Sequence, residues 1–477
     1  MMEDQISTTF CLCPKLKVQF KNRSIMVAQA IPKPESLMVL ANTIQSTAQT
    51  LTEYWKKNGL QQPSFDANSP PTLFPPGTDL AVIAVQHELL GAVEKLSALA
   101  HGPADYLQYY LMQFLEFSAF RYIQSYKIAS FVPLPPPEAP LGSDIPTISY
   151  EDLAAKASAA GYPVVTADLK RMLRACISNM IFREPVPGHV AHTASSAQMI
   201  RSPEMQAMTS LAIEENFPAI EKALEAIEQF GPDAQEPWQT AYSIAQDTKG
   251  QDFYTYLTSQ GPERVARFSL AMKWANENTG YGTQNVDDVF DWTSLGKGKF
   301  VDIGGSRGHN SIAIAKKAPD LTFVVQDLES VVKEANATIV PSLPSDLANR
   351  VSFQAYDFLK EEQPVKDADV YFFSMILHNW PDKYAAQILK KTVDAMKPGA
   401  RIFILDSMVP EPGRIPLVQE KIIRCVDMAM KNLMNARERD LQDWEALFAQ
   451  ADPRLKLDKV IPLPGSILSL NCLSLES

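Results

Sequence analysis

Residues Phe300–Asp327 read FVDIGGSRGHNSIAIAKKAPDLTFVVQD, and this order of apolar and small residues predicts a strand, a tight turn, a helix and a second strand. Val301 and Ile303 are strand formers. Gly304, Gly305 and Gly308 let the backbone turn tightly and approach a ligand with no Cβ in the way. Ile312, Ile314 and Ala315 begin a helix that can cover a sheet, and Phe323, Val324 and Val325 form the next buried strand. Asp327 closes that strand about 20 residues beyond the glycines, the distance at which a carboxylate holds ribose hydroxyls. The stretch reads as a βαβ unit that binds a nucleoside.

Glycine spacing narrows the ligand. A dinucleotide fingerprint is G-x-G-x-x-G, with a pyrophosphate on the helix N-terminus. Here Asp302-x-Gly304-Gly305-x-x-Gly308 misses that spacing. A D-x-G-x-x-x-G run followed by an acidic strand end resembles motif I of S-adenosylmethionine (SAM) methyltransferases. Taken alone, the turn leaves a dinucleotide and a purely structural use open.

A chain of 477 residues with a net charge of -11 calls for two or three domains and argues against coating nucleic acid. No apolar run approaches the length of a membrane span, and no N-terminal stretch has the layout of a signal peptide. The five cysteines at 11, 13, 176, 425 and 472 are dispersed, as for free thiols in a reducing compartment. A cytoplasmic protein is expected, with no nucleic-acid or membrane partner. Cys11 and Cys13 lack a ligand cluster around them, and no metal site is read.

Residues 1–35 show no period and read as a poorly ordered extension. Helices are expected over 36–58, 80–99 and 106–130. The second carries apolar residues at 80, 83, 90, 93, 96 and 99, one loosely helical face. The third is apolar nearly all round, which places it in a core or against another subunit. After the proline-rich link 132–146, Ser149–Asp152 has the form of a capping box, Thr166 is placed to cap a further helix, and residues 181–193 suit a small β-wing. This winged-helix layout over 148–193 holds only Lys170, Arg171 and Arg174 on its second helix, too few for reading DNA in an acidic chain. From about Gly261 strands and helices alternate, with strands at 350–356, 369–377, 400–405, 455–461 and 467–473 and helices at 383–396 and 440–451. The fold class is α/β with a mainly parallel sheet.

In such sheets ligands bind outside the carboxyl ends of the strands. Asp327, Asp357, His378 and Asp406 all fall at such ends. Methyl transfer is an in-line displacement, so an enzyme must align the acceptor oxygen and remove its proton. A histidine suits the second task, and a neighbouring carboxylate steers the ring and stabilises the imidazolium. His378 with Asp406 or Glu438 fits. The alternative is a histidine that caps the helix starting near Asp382.

The segments VDIGGSRG, VVQDL, YDFL, ILHNWPDK, LKKTVDAMKPGARIFILD and NARERDLQDWEALF together resemble the plant- and fungal-type O-methyltransferases of the caffeate/flavonoid class, most closely the fungal secondary-metabolism members. The resemblance implies a Rossmann-like SAM methyltransferase domain with a seven-stranded sheet over 245–477. It also implies a helical dimerisation region over 36–244, a homodimer, and a small aromatic acceptor. Gly304 and Gly305 would line the amino-acid part of SAM, Asp327 would hold the ribose, and Asp357 and Phe358 would flank the adenine. Ser374 stands where plant members place a lysine. His378 would be the general base and Asp406 and Glu438 the carboxylates that steer it. Asp406 is one methylene shorter than the glutamate usual in plant members. Met428, Met430 and Met434 either line the acceptor pocket or fill the core; Trp380 either covers the substrate or staples its loop, and the staple is favoured. His309 reads as a solvated helix start. Two rivals remain: a SAM-binding pericyclase on the same scaffold, and a non-catalytic binding protein. The first would be expected to lose the base or its partners, whereas His378, Asp406 and Glu438 are all present; the intact glycine turn, ribose acid and base speak against the second.

Overall fold

The computed structural model describes residues 35–75, 77–278, 280 and 282–476. The extension expected before Glu35, with Cys11 and Cys13, lies outside the described residues.

Three short strands, β1 (Ile148–Ser149), β2 (Phe182–Val186) and β3 (His189–His192), form an antiparallel sheet in the order β1-β3-β2. Beside them Ser149 caps the helix Tyr150–Ala159 by accepting the Asp152 N–H. Thr166 does not cap as expected: it is the first residue of the helix Thr166–Ser178, whose N-cap Val165 has no side-chain acceptor.

The main sheet holds β4 (Gly298–Ile303), β5 (Leu321–Asp327), β6 (Val351–Ala355), β7 (Val370–Ser374), β8 (Arg401–Ser407), β9 (Leu455–Pro462) and β10 (Leu468–Leu475). Their order is β6-β5-β4-β7-β8-β10-β9. The first five are parallel, and β10 runs antiparallel to both neighbours. The fold is the seven-stranded Rossmann-like one expected. The chain moves outward from β4 to β5 and β6 on one side and to β7 and β8 on the other, so the strand order reverses between β4 and β7, at whose carboxyl ends such sheets bind ligands.

Side-chain alternation builds a core on each face of this sheet. Val301, Ile303, Tyr371, Phe373, Ile402 and Ile404 pack toward the helices Asp382–Val393 and Leu441–Ala451, where Trp444, Leu447 and Phe448 meet them. Phe300, Phe323, Phe372 and Phe403 pack on the other face with Trp292 and Ile314. Each buried phenylalanine contributes roughly 1.5–3 kcal/mol. This rigid slab fixes the strand ends that carry the polar residues.

Two expectations change and a third narrows. The strand expected over 369–377 stops at Ser374, because Met375 takes a left-handed φ of 54° and Leu377–Asn379 form a 3-10 turn. That turn lifts His378 out of the sheet. The alternation expected from Gly261 begins only at β4, since Pro262–Asn278 is a long helix that continues a run of shorter ones from Ala194. The apolar face read for the second helix, Leu80–His101, is largely uncovered: Leu80, Leu90, Val93 and Leu99 are exposed. The third helix, Pro103–Ser125, buries only Ala119 and Ile123 and leaves Leu107, Tyr110, Leu111, Met112, Phe114 and Leu115 exposed. Of its two readings, a core helix within this chain is excluded for that half. Among the described residues no helix is long and apolar enough to cross a membrane.

Candidate active site

The glycine turn leaves β4 with Gly304 at φ 73°, and the Gly304 and Gly305 N–H groups both donate to the Gln326 carbonyl of β5, at 2.8 and 3.0 Å. A Cβ on Gly305 would sit 2.5 Å from Asp302 Cγ and 2.7 Å from Val325 Cγ1. On Gly304 it would sit 2.5 Å from Ile376 Cδ1. Close packing of the turn on its own strands therefore already demands glycine. Ser306, at a left-handed φ of 50°, donates its N–H to Asp327 Oδ2 at 2.9 Å, while Leu328 N–H reaches Oδ1 at 2.8 Å. Asp327 thus stands oriented beside the turn, its carboxyl raised above the usual range by burial and held back by those two N–H groups.

Asp302 lies beneath the turn. Ser311 donates to its Oδ2 at 2.6 Å, but its buried Oδ1 has no hydrogen-bond partner among the described residues, and burial pushes the carboxyl up to about 7. An unpaired acceptor next to Gly305 suits an ammonium or a water bound to one. With Asp327 one strand away, these groups fit an amino-acid nucleoside such as SAM. Phe358 completes the wall: its ring comes within 3.7 Å of a Cβ built on Gly304 and packs edge-on to Trp380 at 5.9 Å. Asp357 is tied into its own loop by the Leu359 N–H (3.1 Å) and Lys360 Nζ (2.8 Å), which hold its carboxyl low against the upward push of burial. Ser374 Oγ, at the end of β7, accepts from Asn310 Nδ2 at 2.9 Å.

His378 is 6% exposed and its Nδ1 lies 2.8 Å from Glu438 Oε1. The imidazole therefore carries its proton on Nδ1 toward the carboxylate, and Nε2 takes no hydrogen bond from the described residues. Asp406 reaches the same histidine differently. Its Oδ2 accepts the His378 backbone N–H at 3.2 Å, while Oδ1 stays 3.8 Å from Nδ1. The shorter side chain fixes the backbone of the turn and touches the ring only through its field. Burial alone would lower the imidazole's affinity for a proton, but Asp406 and Glu438 outweigh it and raise His378 to about 9. The helix-capping alternative fails: the helix Asp382–Val393 has Pro381 at its N-cap and no side-chain cap.

Three groups escaped the sequence reading. Ser407 donates its hydroxyl to Glu438 Oε2, so both oxygens of that carboxylate are engaged. Asp427, on the helix Leu417–Met434, accepts the Glu438 N–H at 2.8 Å. Arg439, next in the chain, is fully buried beneath the turn. Spacing could not reveal these contacts, although an arginine directly after the glutamate in NARERD was visible. His378, Asp406 and Glu438 lie close enough to hold a metal ion, but their facing atoms are occupied by one another and by Ser407. Of the other candidates, Trp380 is 9% exposed between Phe358 and Tyr384, as a staple would be. Met428 is exposed, whereas Met434 is buried and Met430 half-buried in a cluster with Tyr242, Phe253, Tyr254 and Phe268. His309 is exposed at its helix start.

Residues 233–452 match the O-methyltransferase domain family. The chlorophenol O-methyltransferase of Trichoderma longibrachiatum is 36% identical over 426 residues, spanning 89% of this chain and 87% of that protein. The crystal structure of OxaC in complex with SAH and oxaline aligns with a TM-score of 0.66 at 21% identity, over 92% of this chain and 100% of that one. A chain solved as a pericyclic reaction enzyme aligns with a TM-score of 0.64 at 21% identity, over 91% of this chain and 100% of its own. At that identity the two solved chains share the fold.

Proposed function

This chain belongs to the SAM-dependent O-methyltransferase family, and from that premise we propose that His378 takes the proton from a phenolic hydroxyl as that oxygen is methylated. The observation that carries the reading is the 2.8 Å contact between His378 Nδ1 and Glu438, which leaves Nε2 as the ring nitrogen with no hydrogen-bond partner among the described residues. Gly304, Gly305, Asp327 and the unpaired Asp302 oxygen would hold the donor, with Asp357, Phe358 and Ser374 along its adenine side. When bound, SAM supplies a methyl group already activated by a sulfonium, so the protein's tasks are alignment and proton removal.

His378 performs the second task. Glu438 holds the Nδ1 proton and offsets the charge that forms when Nε2 takes the acceptor's proton. Ser407 and Asp427 keep Glu438 in place, and Asp406 holds the backbone of the turn. A base raised to about 9 must first lose its own proton, and its strength then matches a phenol, whose pKa is about 10, far better than an aliphatic alcohol. The half-buried Tyr254, Phe268 and Met430, packed on the buried Tyr242 and Met434, are side chains of the kind that pack against a small aromatic ring. The chlorophenol named for the Trichoderma relative agrees with this choice.

We assign the dimer contact to residues 36–244, where the uncovered apolar sides of Leu80–His101 and Pro103–Ser125 lie, and catalysis to 245–477. The described cysteines are free thiols, in keeping with a cytoplasmic protein. The test is a panel of phenols and aliphatic alcohols incubated with SAM, with products resolved by mass. Methyl ethers from phenols alone support the reading. Methylation confined to aliphatic hydroxyls, or rearranged products without added methyl, would contradict it.

A further inference from the structure

Arg439 sits where three segments meet. Its Nε and Nη2 both donate to Asp382 Oδ1, at 2.9 and 2.7 Å. Its Nη1 donates to the Leu377 carbonyl and its Nη2 to the Trp380 carbonyl, each at 2.9 Å. Those carbonyls bracket His378. The Arg439 carbonyl in turn accepts the Val409 N–H at 2.9 Å, joining the chain beyond β8. The guanidinium is fully buried and lies 5.3 Å from the Trp444 ring centroid.

A buried ion pair by itself says little, since such pairs are often replaceable by apolar groups. Two features separate this one. Its neutral acceptors are the carbonyls of the very turn that carries His378, and a planar fork reaches them together with Asp382 in a way a lysine cannot. Its charge also lies next to a histidine flanked by two carboxylates. The charged or titratable groups packed around His378 are Asp406 on β8, Asp427 on the helix Leu417–Met434, Asp382 with its second partner Arg437, and the adjacent Glu438 and Arg439. Arg439 opposes the pull of Asp406 and Glu438 on the histidine proton.

We propose that Arg439 is a positioning residue for methyl transfer, which holds the turn that aims His378 and offsets the two carboxylates that flank it. The proposal rests on His378 being the base. Two separable consequences follow for the full-length protein. Arg439→Lys keeps the charge but loses the fork, so kcat falls by about 10-fold or more while the pH at which kcat/KM reaches its plateau stays put. Arg439→Gln loses both, so kcat falls and that pH moves upward. Asp382→Asn leaves Arg439 unpaired and its charge stronger, so the same pH moves downward.

The experiment measures kcat/KM against pH for these three proteins, wild type and His378→Ala, with melting curves and SAM titrations alongside. Opposite shifts for Arg439→Gln and Asp382→Asn, with SAM affinity within about threefold of wild type, are the expected result. A purely structural residue would lower activity without moving the profile, and unmoved profiles in folded variants would overturn the proposal. If the Arg439 variants do not fold, the direction in Asp382→Asn decides alone. Unchanged activity in His378→Ala would instead remove the base reading itself.

Discussion

His378 Nδ1 and Glu438 Oε1 lie 2.8 Å apart although 60 residues separate them in the chain. Both are buried, and the second carboxylate oxygen is held by Ser407. The ring therefore has one orientation and one nitrogen without a hydrogen-bond partner among the described residues, and the consequences of that clamp can be measured.

Glu438→Gln replaces a charged acceptor by a neutral one of the same length. We expect kcat to fall by about 10²-fold with SAM affinity nearly unchanged, since proton transfer by a positioned group is worth about 10²–10⁴. Steady-state kinetics with a calorimetric SAM titration check this. A loss confined to SAM affinity would move Glu438 from the base to the cofactor.

His378 is raised from 6.5 to about 9 in the folded chain. Its charged form then stabilises the fold fully below about pH 6.5, and that stabilisation is lost as pH rises through about 9. Melting temperature should decline across that window in wild type and decline less in His378→Ala. Over the same range kcat/KM should rise, because only the neutral ring accepts a proton. A flat kcat/KM from pH 7 to 9.5 would contradict the raised base.

Gly305→Ala places a methyl group 2.5 Å from Asp302 Cγ and 2.7 Å from Val325 Cγ1. The turn must shift, at a cost of about 1–3 kcal/mol. We expect a lower melting temperature and at least a tenfold weaker SAM titration. Wild-type affinity in this variant would show that the turn does not hold the donor.

The exposed side of Pro103–Ser125 includes Leu111, Phe114 and Leu115. A contiguous apolar face of this kind marks an association surface. Sedimentation equilibrium should give two chains per particle for wild type and one for Leu111→Glu/Leu115→Glu. A monomeric wild type would rule the dimer out.

The parts of this molecule legible in sequence are those set by local chemistry. The glycine turn, the acid at the end of β5 and the alternating strands β4–β8 follow from period and spacing, and they carry the fold. What was lost depends on contacts between distant segments. Thr166 has the chemistry of a cap, yet the helix starts on it. Met375 ends β7 early by a backbone twist that no residue type announces. Apolar periodicity does not say which chain covers a face, so Pro103–Ser125 read equally as a core helix or as a contact with another subunit, and the face of Leu80–His101 came with no partner at all. Motif resemblance supplied His378, Asp406 and Glu438 together. Arg439 stayed hidden because its fork reaches back 62 residues to the Leu377 carbonyl.

The most direct test is transfer of labelled methyl from SAM to a panel of phenols by wild type and His378→Ala, with SAM binding titrated for both. The account predicts labelled methyl ether from wild type, a fall of about 10²-fold or more in the variant, and SAM bound by both. Full transfer by His378→Ala would contradict the histidine as base, and absence of SAM binding by the wild type would contradict the account at its root.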